Sequence, residues 1–194
     1  MTTLREQALR RLGWGLVLPM IDIHIIIVDL LPDFIGYAMI VSALHRLSSE
    51  HSAFRKAKAA AIALLLLSLP QLLLKSNIPI AEFKAVPIHM HLYGQAGLAL
   101  HALMAYWLFN GLYAFARQNG LGAETLDSVV YRRNFYLSVT VLQLAYYPFL
   151  WNSEDGMHLL LFAFAALMLV AELLLLRLPF RLAKERKGEE RPAN

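Results

Sequence analysis

Three aspartates and a histidine, Asp22, His24, Asp29 and Asp33, stand inside one of the most apolar regions of the chain, residues 21–37. Carboxylates and imidazoles can carry protons and cations, and an ionised acid at the centre of a spanning helix costs about 2.5–3.5 kcal/mol on insertion scales. Each therefore needs a partner, a proton, water or a special backbone position. The residues fit two kinds of chemistry. In one, the acids build a turn. Pro32 suits the first turn of a helix because its missing amide proton would be unpaired there, Asp29 caps that helix, and Asp33 sits against the positive end of its dipole. In the other, Asp29 and Asp33 hold a proton or cation at a broken helix, with Asp22 and His24 as nearby relays. One continuous helix would also put Asp22, Asp29 and Asp33 on a common face, at spacings of seven and four.

Further polar groups recur at helical spacing. Gly94, Gly97, His101 and Ala105 share a face whose small residues invite a close neighbour, which places His101 inside a bundle as a hydrogen-bonding group or proton relay. Tyr136, Thr140, Gln143 and Tyr147, at spacings of four, three and four, form an inward stripe. It can meet Gln71, Ser68 or the aspartates, either as interhelical hydrogen bonds or as the lining of a hydrophilic cavity. Glu172 precedes Arg177 by about a turn and a half and is expected to snorkel or pair near the cytoplasmic surface, the alternative being a buried functional acid. His89 and His91 could share a metal in an extended segment, but no third ligand accompanies them, so no metal site is expected. There is no cysteine, which excludes disulfides, thiolate metal sites and a cysteine nucleophile. Nucleotide-binding, zinc-protease and serine-hydrolase signatures are absent from the sequence, so neither a cofactor nor a catalytic nucleophile is expected.

The elements that must position these groups are membrane helices. Of 194 residues, 58% are hydrophobic and 16% charged, against about 25% charged in soluble domains, which places the chain in a membrane class. Apolar runs at residues 59–74, 92–116, 135–151 and 157–176 approach the roughly 17–25 residues that a spanning helix needs. Lysines and arginines set the orientation. Arg46, Arg55, Lys56 and Lys58 precede the first run, Arg117, Arg132 and Arg133 separate the second from the third, and six basic residues within 177–191 follow the last. Both termini are therefore expected in the cytoplasm, and residues 14–47 must enter the membrane and return. Two halves of about 15 residues are each about 22 Å long as helices, against a hydrocarbon core near 30 Å. This predicts a short, tilted or re-entrant helical hairpin with its tip at residues 29–33. Residues 1–13 form a basic amphipathic segment whose Arg5, Arg10 and Arg11 suit anionic headgroups. It is not expected to be a cleaved signal, because Asp22 and His24 interrupt the apolar run that follows. Residues 14–183 form a single membrane domain, and residues 184–194 a charged, unstructured cytoplasmic tail.

Residues 29–37, Asp-Leu-Leu-Pro-Asp-Phe-Ile-Gly-Tyr, followed by an apolar helix that ends in a basic residue, resemble a motif near the start of uncharacterised multi-pass membrane proteins of Bacillota. A shorter similarity links them to the Asp-Leu-Ile-Pro-Asp-Phe-Ile-Pro stretch of a small family of unknown function, with Gly36 standing in for the second proline. The resemblance implies a bacterial multi-pass membrane protein and carries no activity with it.

The sequence thus predicts an all-α, polytopic bundle of the bacterial cytoplasmic membrane, an amino-terminal hairpin followed by four spanning helices. Its surroundings are the lipid bilayer, and its partner a second copy or another membrane protein; no nucleic-acid motif occurs. The leading expectation is a structural or accessory membrane subunit without enzymatic activity. The alternative is a small proton- or cation-coupled transporter built on Asp29 and Asp33, with Asp22, His24 and His101 as relays.

Overall fold

The computed structural model describes residues 4–24, 33–69, 85–152 and 158–189. Among these residues there are six α-helices and no strand. They are α1 (Leu4–His24), α2 (Asp33–Leu47), α3 (Ser52–Ser68), α4 (Ile88–Gln118), α5 (Ala123–Tyr146) and α6 (His158–Glu189), with a 3-10 turn at Tyr147–Asn152. Each helix packs on the next, and α6 returns to α1, so the six close into a ring. The register descends along each pair. Gly15 meets Gly36 and Ile40, Arg11 reaches Ser42 and Arg5 reaches Glu50, which makes α1 and α2 antiparallel. On α5 and α6, Tyr146 meets Phe164, Tyr136 meets Glu172 and Thr125 meets Glu185, with the same result.

The helices run past the apolar segments from which they are expected. The basic segment 1–13 is not a separate surface element: from Leu4 it is the first half of α1. Ala8, Leu9, Leu12 and Leu16 are buried along one stripe while Arg5, Arg10 and Arg11 stay outside, so the segment packs edge-on into the core. With 21 residues, α1 is about 32 Å long, longer than the half-hairpin expected from Trp14 alone. The hairpin tip, with Asp29 and Pro32, lies outside the described residues. At the other end, α6 does not stop near residue 176 but continues to Glu189, through residues 184–189 of the expected tail. Leu178, Leu182 and Ala183 carry its buried face onward, and Arg181 holds Glu185 one turn ahead at 2.6 Å.

Prolines inside α1 and α6 leave carbonyls without their usual amide partners. Pro19 removes the donor that would face Gly15, and the Gly15 carbonyl turns to Gly36 of α2. A Cβ on Gly36 would fall 2.5 Å from Pro19 Cδ and 3.0 Å from that carbonyl. Only a residue without a side chain fits, so the two backbones touch directly. In α6, Pro179 removes the donor that would face Leu175, and one residue earlier the Leu174 carbonyl accepts from Arg132 at 3.0 Å.

Two helices among the described residues are long and apolar enough to cross a membrane, Ile88–Gln118 and Phe162–Glu185 of α6. Only 44% and 39% of their apolar windows are buried, so neither is enclosed as the core helix of a soluble protein would be. Leu92, Leu103, Phe162 and Val170 face outward on them, and Leu66, Val141 and Leu142 do so on α3 and α5.

The Gly36 crossing generates a signed prediction. Gly36→Ala should lower the thermal midpoint in detergent, because overpacking costs about 1–3 kcal/mol. Gly94→Ala, where an added Cβ meets nothing within 4 Å, should raise it through helix propensity. Equal shifts of the two midpoints would remove the close crossing as a determinant of stability.

Candidate functional site

A cavity of about 260 Å³ opens inside the ring, in the half that holds the amino terminus of α2, the carboxyl terminus of α3 and the start of α4. Asp33 and Tyr37 enter it from α2, one turn apart; His101 comes from α4, Gln143 from α5 and Glu172 from α6. The face of α4 carrying Gly94 and Gly97 borders this cavity, where a close helix crossing is expected from the sequence. An added Cβ at Gly94 would meet nothing and one at Gly97 only Leu67 at 3.7 Å, so the missing side chains create space.

His101 and Glu172 form the centre. The Nε2 of His101 lies 3.3 Å from Oε1 of Glu172, a distance suited to an ion pair but not aligned as a hydrogen bond. The same carboxylate oxygen accepts the Tyr136 hydroxyl at 2.7 Å. The other imidazole nitrogen, Nδ1, shares a hydrogen bond of 3.1 Å with the Tyr37 hydroxyl. Tyr136 stacks over the imidazole and Tyr37 meets it edge-on. All four side chains are less than 10% exposed, so the dyad is held between phenols from α2 and α5. Thr140, fully buried, bonds back to the Tyr136 carbonyl and fixes that turn of α5.

The arrangement is that of a proton acceptor. With a neutral imidazole, Glu172 keeps the hydrogen bond from Tyr136; a proton added at Nε2 of His101 would convert the His101–Glu172 contact into an ion pair. Asp33 lines the same cavity as Tyr37 and His101. The cavity therefore brings two carboxylates and one imidazole together, groups whose titrations are coupled at such distances. Gln143 adds a polar atom, its Oε1 buried and without a hydrogen bond among the described residues.

Of the residues singled out in the sequence, Asp33, His101, Tyr136, Thr140 and Gln143 come together here. Asp22 and His24 sit in the last turn of α1, their side chains outside what is described, and Asp29 and Gln71 lie outside the described residues. Tyr147 is at the end of the stripe, apart from the dyad, 2.7 Å from Nδ1 of His91. His89 and His91 belong to the first turn of α4 and not to an extended segment. Two residues apart on a helix they diverge by about 200°, one exposed and the other buried. Among the described residues no group of three or more His, Cys, Asp or Glu is placed to hold a metal.

Glu172 corrects the expectation of snorkelling. It is 4% exposed and points across the ring, away from the basic end. It is the only acid in residues 157–176, and the cost of a carboxylate in such a run is the signal that identifies it. Tyr37, one turn after Asp33, is the other participant that spacing alone could have supplied. The chain matches no known protein family, no curated protein and no solved structure.

Removal of one member of the dyad should strand the other. Glu172→Leu and His101→Leu should each destabilise the protein, by up to about 3–5 kcal/mol for a broken buried pair. The double substitution should cost clearly less than their sum, as measured by reversible unfolding in mixed micelles. Additivity within about 0.5 kcal/mol would show that the two side chains are not coupled.

Proposed function

We propose that the chain is a small multi-pass protein of the bacterial cytoplasmic membrane that takes up a proton or small cation in the Asp33–His101–Glu172 cavity and moves it across the bilayer. The observation that carries this reading is the buried His101–Glu172 contact inside a cavity that also receives Asp33. Intramembrane ionisable groups are expensive, and apolar packing alone holds helices together without them. An accessory subunit that acts only through helix packing explains the ring and can use the His101–Glu172 contact to set its register, but does not call for a cavity that also receives Asp33.

The membrane topology is supported by the distribution of charge on an alternating ring. Arg5, Arg10 and Arg11 begin α1, Arg46 ends α2, and Arg55, Lys56 and Lys58 begin α3. Arg117 ends α4, Arg132 and Arg133 lie in the first half of α5, and Arg177, Arg181 and Lys184 lie in the last part of α6. In an up-and-down ring all of these fall at one end, which the positive-inside rule assigns to the cytoplasm with both termini. The hairpin arm α1–α2 then joins the four helices expected to span, and the cavity lies in the half of the membrane away from the basic end.

Proteoliposomes carrying an internal pH indicator test the function. Under an imposed gradient the wild-type protein should dissipate protons, or protons in exchange for a supplied cation, faster than protein-free vesicles. Glu172→Gln and Asp33→Asn should return the rate to that of empty vesicles, while Glu172→Asp keeps part of it. Wild-type flux equal to the empty vesicles would sink the transport reading. Repeated recovery of a stable membrane partner on gentle extraction would then favour the accessory subunit.

A further inference from the structure

On the outside of the ring, between α2 and α3, lies a second and larger recess of about 520 Å³. Its lining is sorted by chemistry. His45 and Arg46 from the last turn of α2 and Lys58 from the first half of α3 gather at the basic end. Val41, Ile62 and Leu65 continue it toward the middle of the helices. The sorting follows from the antiparallel pairing, which sets the basic end of one helix beside the basic start of the next. A further cation stands at the rim beside Arg46 and Lys58, because Arg11 of α1 reaches the lining residue Ser42 at 3.1 Å.

Arg46 and Lys58 differ from three other cations at the same end of the molecule. Arg5, Arg10 and Arg181 each have a carboxylate within 3.0 Å, on Glu50, Glu6 and Glu185. No acid lines the recess, and among the described residues none of His45, Arg46 and Lys58 forms an ion pair. The recess thus joins uncompensated positive charge to an apolar channel, within the size range of ligand sites.

We infer that this recess binds an anionic phospholipid of the cytoplasmic leaflet, its phosphate held by His45, Arg46 and Lys58 and an acyl chain laid along Val41, Ile62 and Leu65. A free anion would leave the apolar half unfilled, and a lipid without net charge would leave three donors uncompensated. Basic pockets between helices at the cytoplasmic boundary recognise anionic headgroups in this way. The inference rests on the membrane topology proposed above and is independent of the interior cavity.

Native mass spectrometry of the purified full-length protein, titrated with phosphatidylglycerol or phosphatidylcholine of the same chain length, tests it. Phosphatidylglycerol should bind in preference. Each basic side chain beside an anionic headgroup is worth about fivefold, so Arg46→Gln/Lys58→Gln should reduce that preference roughly thirtyfold. Arg55→Gln/Lys184→Gln removes the same charge from exposed positions outside the recess and should leave the preference intact. An unchanged preference in the first variant, or an equal loss in the second, would overturn the site. Displacement of the lipid by glycerol phosphate, which has no chains, would also overturn it, in favour of a soluble anion. Recovery of the protein without detergent would instead overturn the membrane topology on which the site depends.

Discussion

A carboxylate and an imidazole enclosed by apolar helices leave little freedom in how those helices sit. Glu172 must meet both the Tyr136 hydroxyl and His101, and His101 must also meet Tyr37. One such chain of contacts fixes the relative rotation and height of α2, α4, α5 and α6, because a slip of one residue would turn a partner by about 100°. A polar group left unmatched in that interior costs more than the contact contributes when made. The dyad therefore sets the register of the bundle as well as its chemistry. The leucines and alanines around it supply adhesion that would tolerate several registers.

The remaining helices are placed by shape. The Gly15–Gly36 crossing lets α1 and α2 approach until backbone meets backbone. Gly111, where a Cβ would fall 2.6 Å from the Phe54 ring, instead makes room on α4 for a large side chain of α3. Gly94 and Gly97 have the opposite role: on α4 they leave the space that becomes the cavity. Glycine in an apolar helix thus marks either a contact or a void, and the sequence alone does not distinguish them.

That ambiguity shows what could be read in advance. The polar stripe Tyr136–Thr140–Gln143 was legible because helical spacing assigns side chains to faces, and His101 because its neighbours on one face are small. Glu172 was misassigned because proximity in sequence to Arg177 made a local partner look sufficient. The Tyr136 and His101 that hold it are 36 and 71 positions away in the chain, and nothing local announces them. Helix length was underestimated for a related reason. Hydropathy marks what is greasy, whereas α1 and α6 extend through basic stretches on the strength of narrow buried stripes, such as Leu9–Leu12–Leu16 and Leu178–Leu182.

Closure of the ring has a consequence for biosynthesis. Among the described helices α1 is made before the other five, yet one flank of it, at Gly13 and Trp14, is covered by Phe180 of α6. Glu172 emerges on that same helix, so the imidazole and phenol made earlier face an unfinished wall until α6 is made. The seam and the dyad therefore close together, when α6 takes its place. A chain lacking α6 would keep α1 unsealed and the imidazole without its acid.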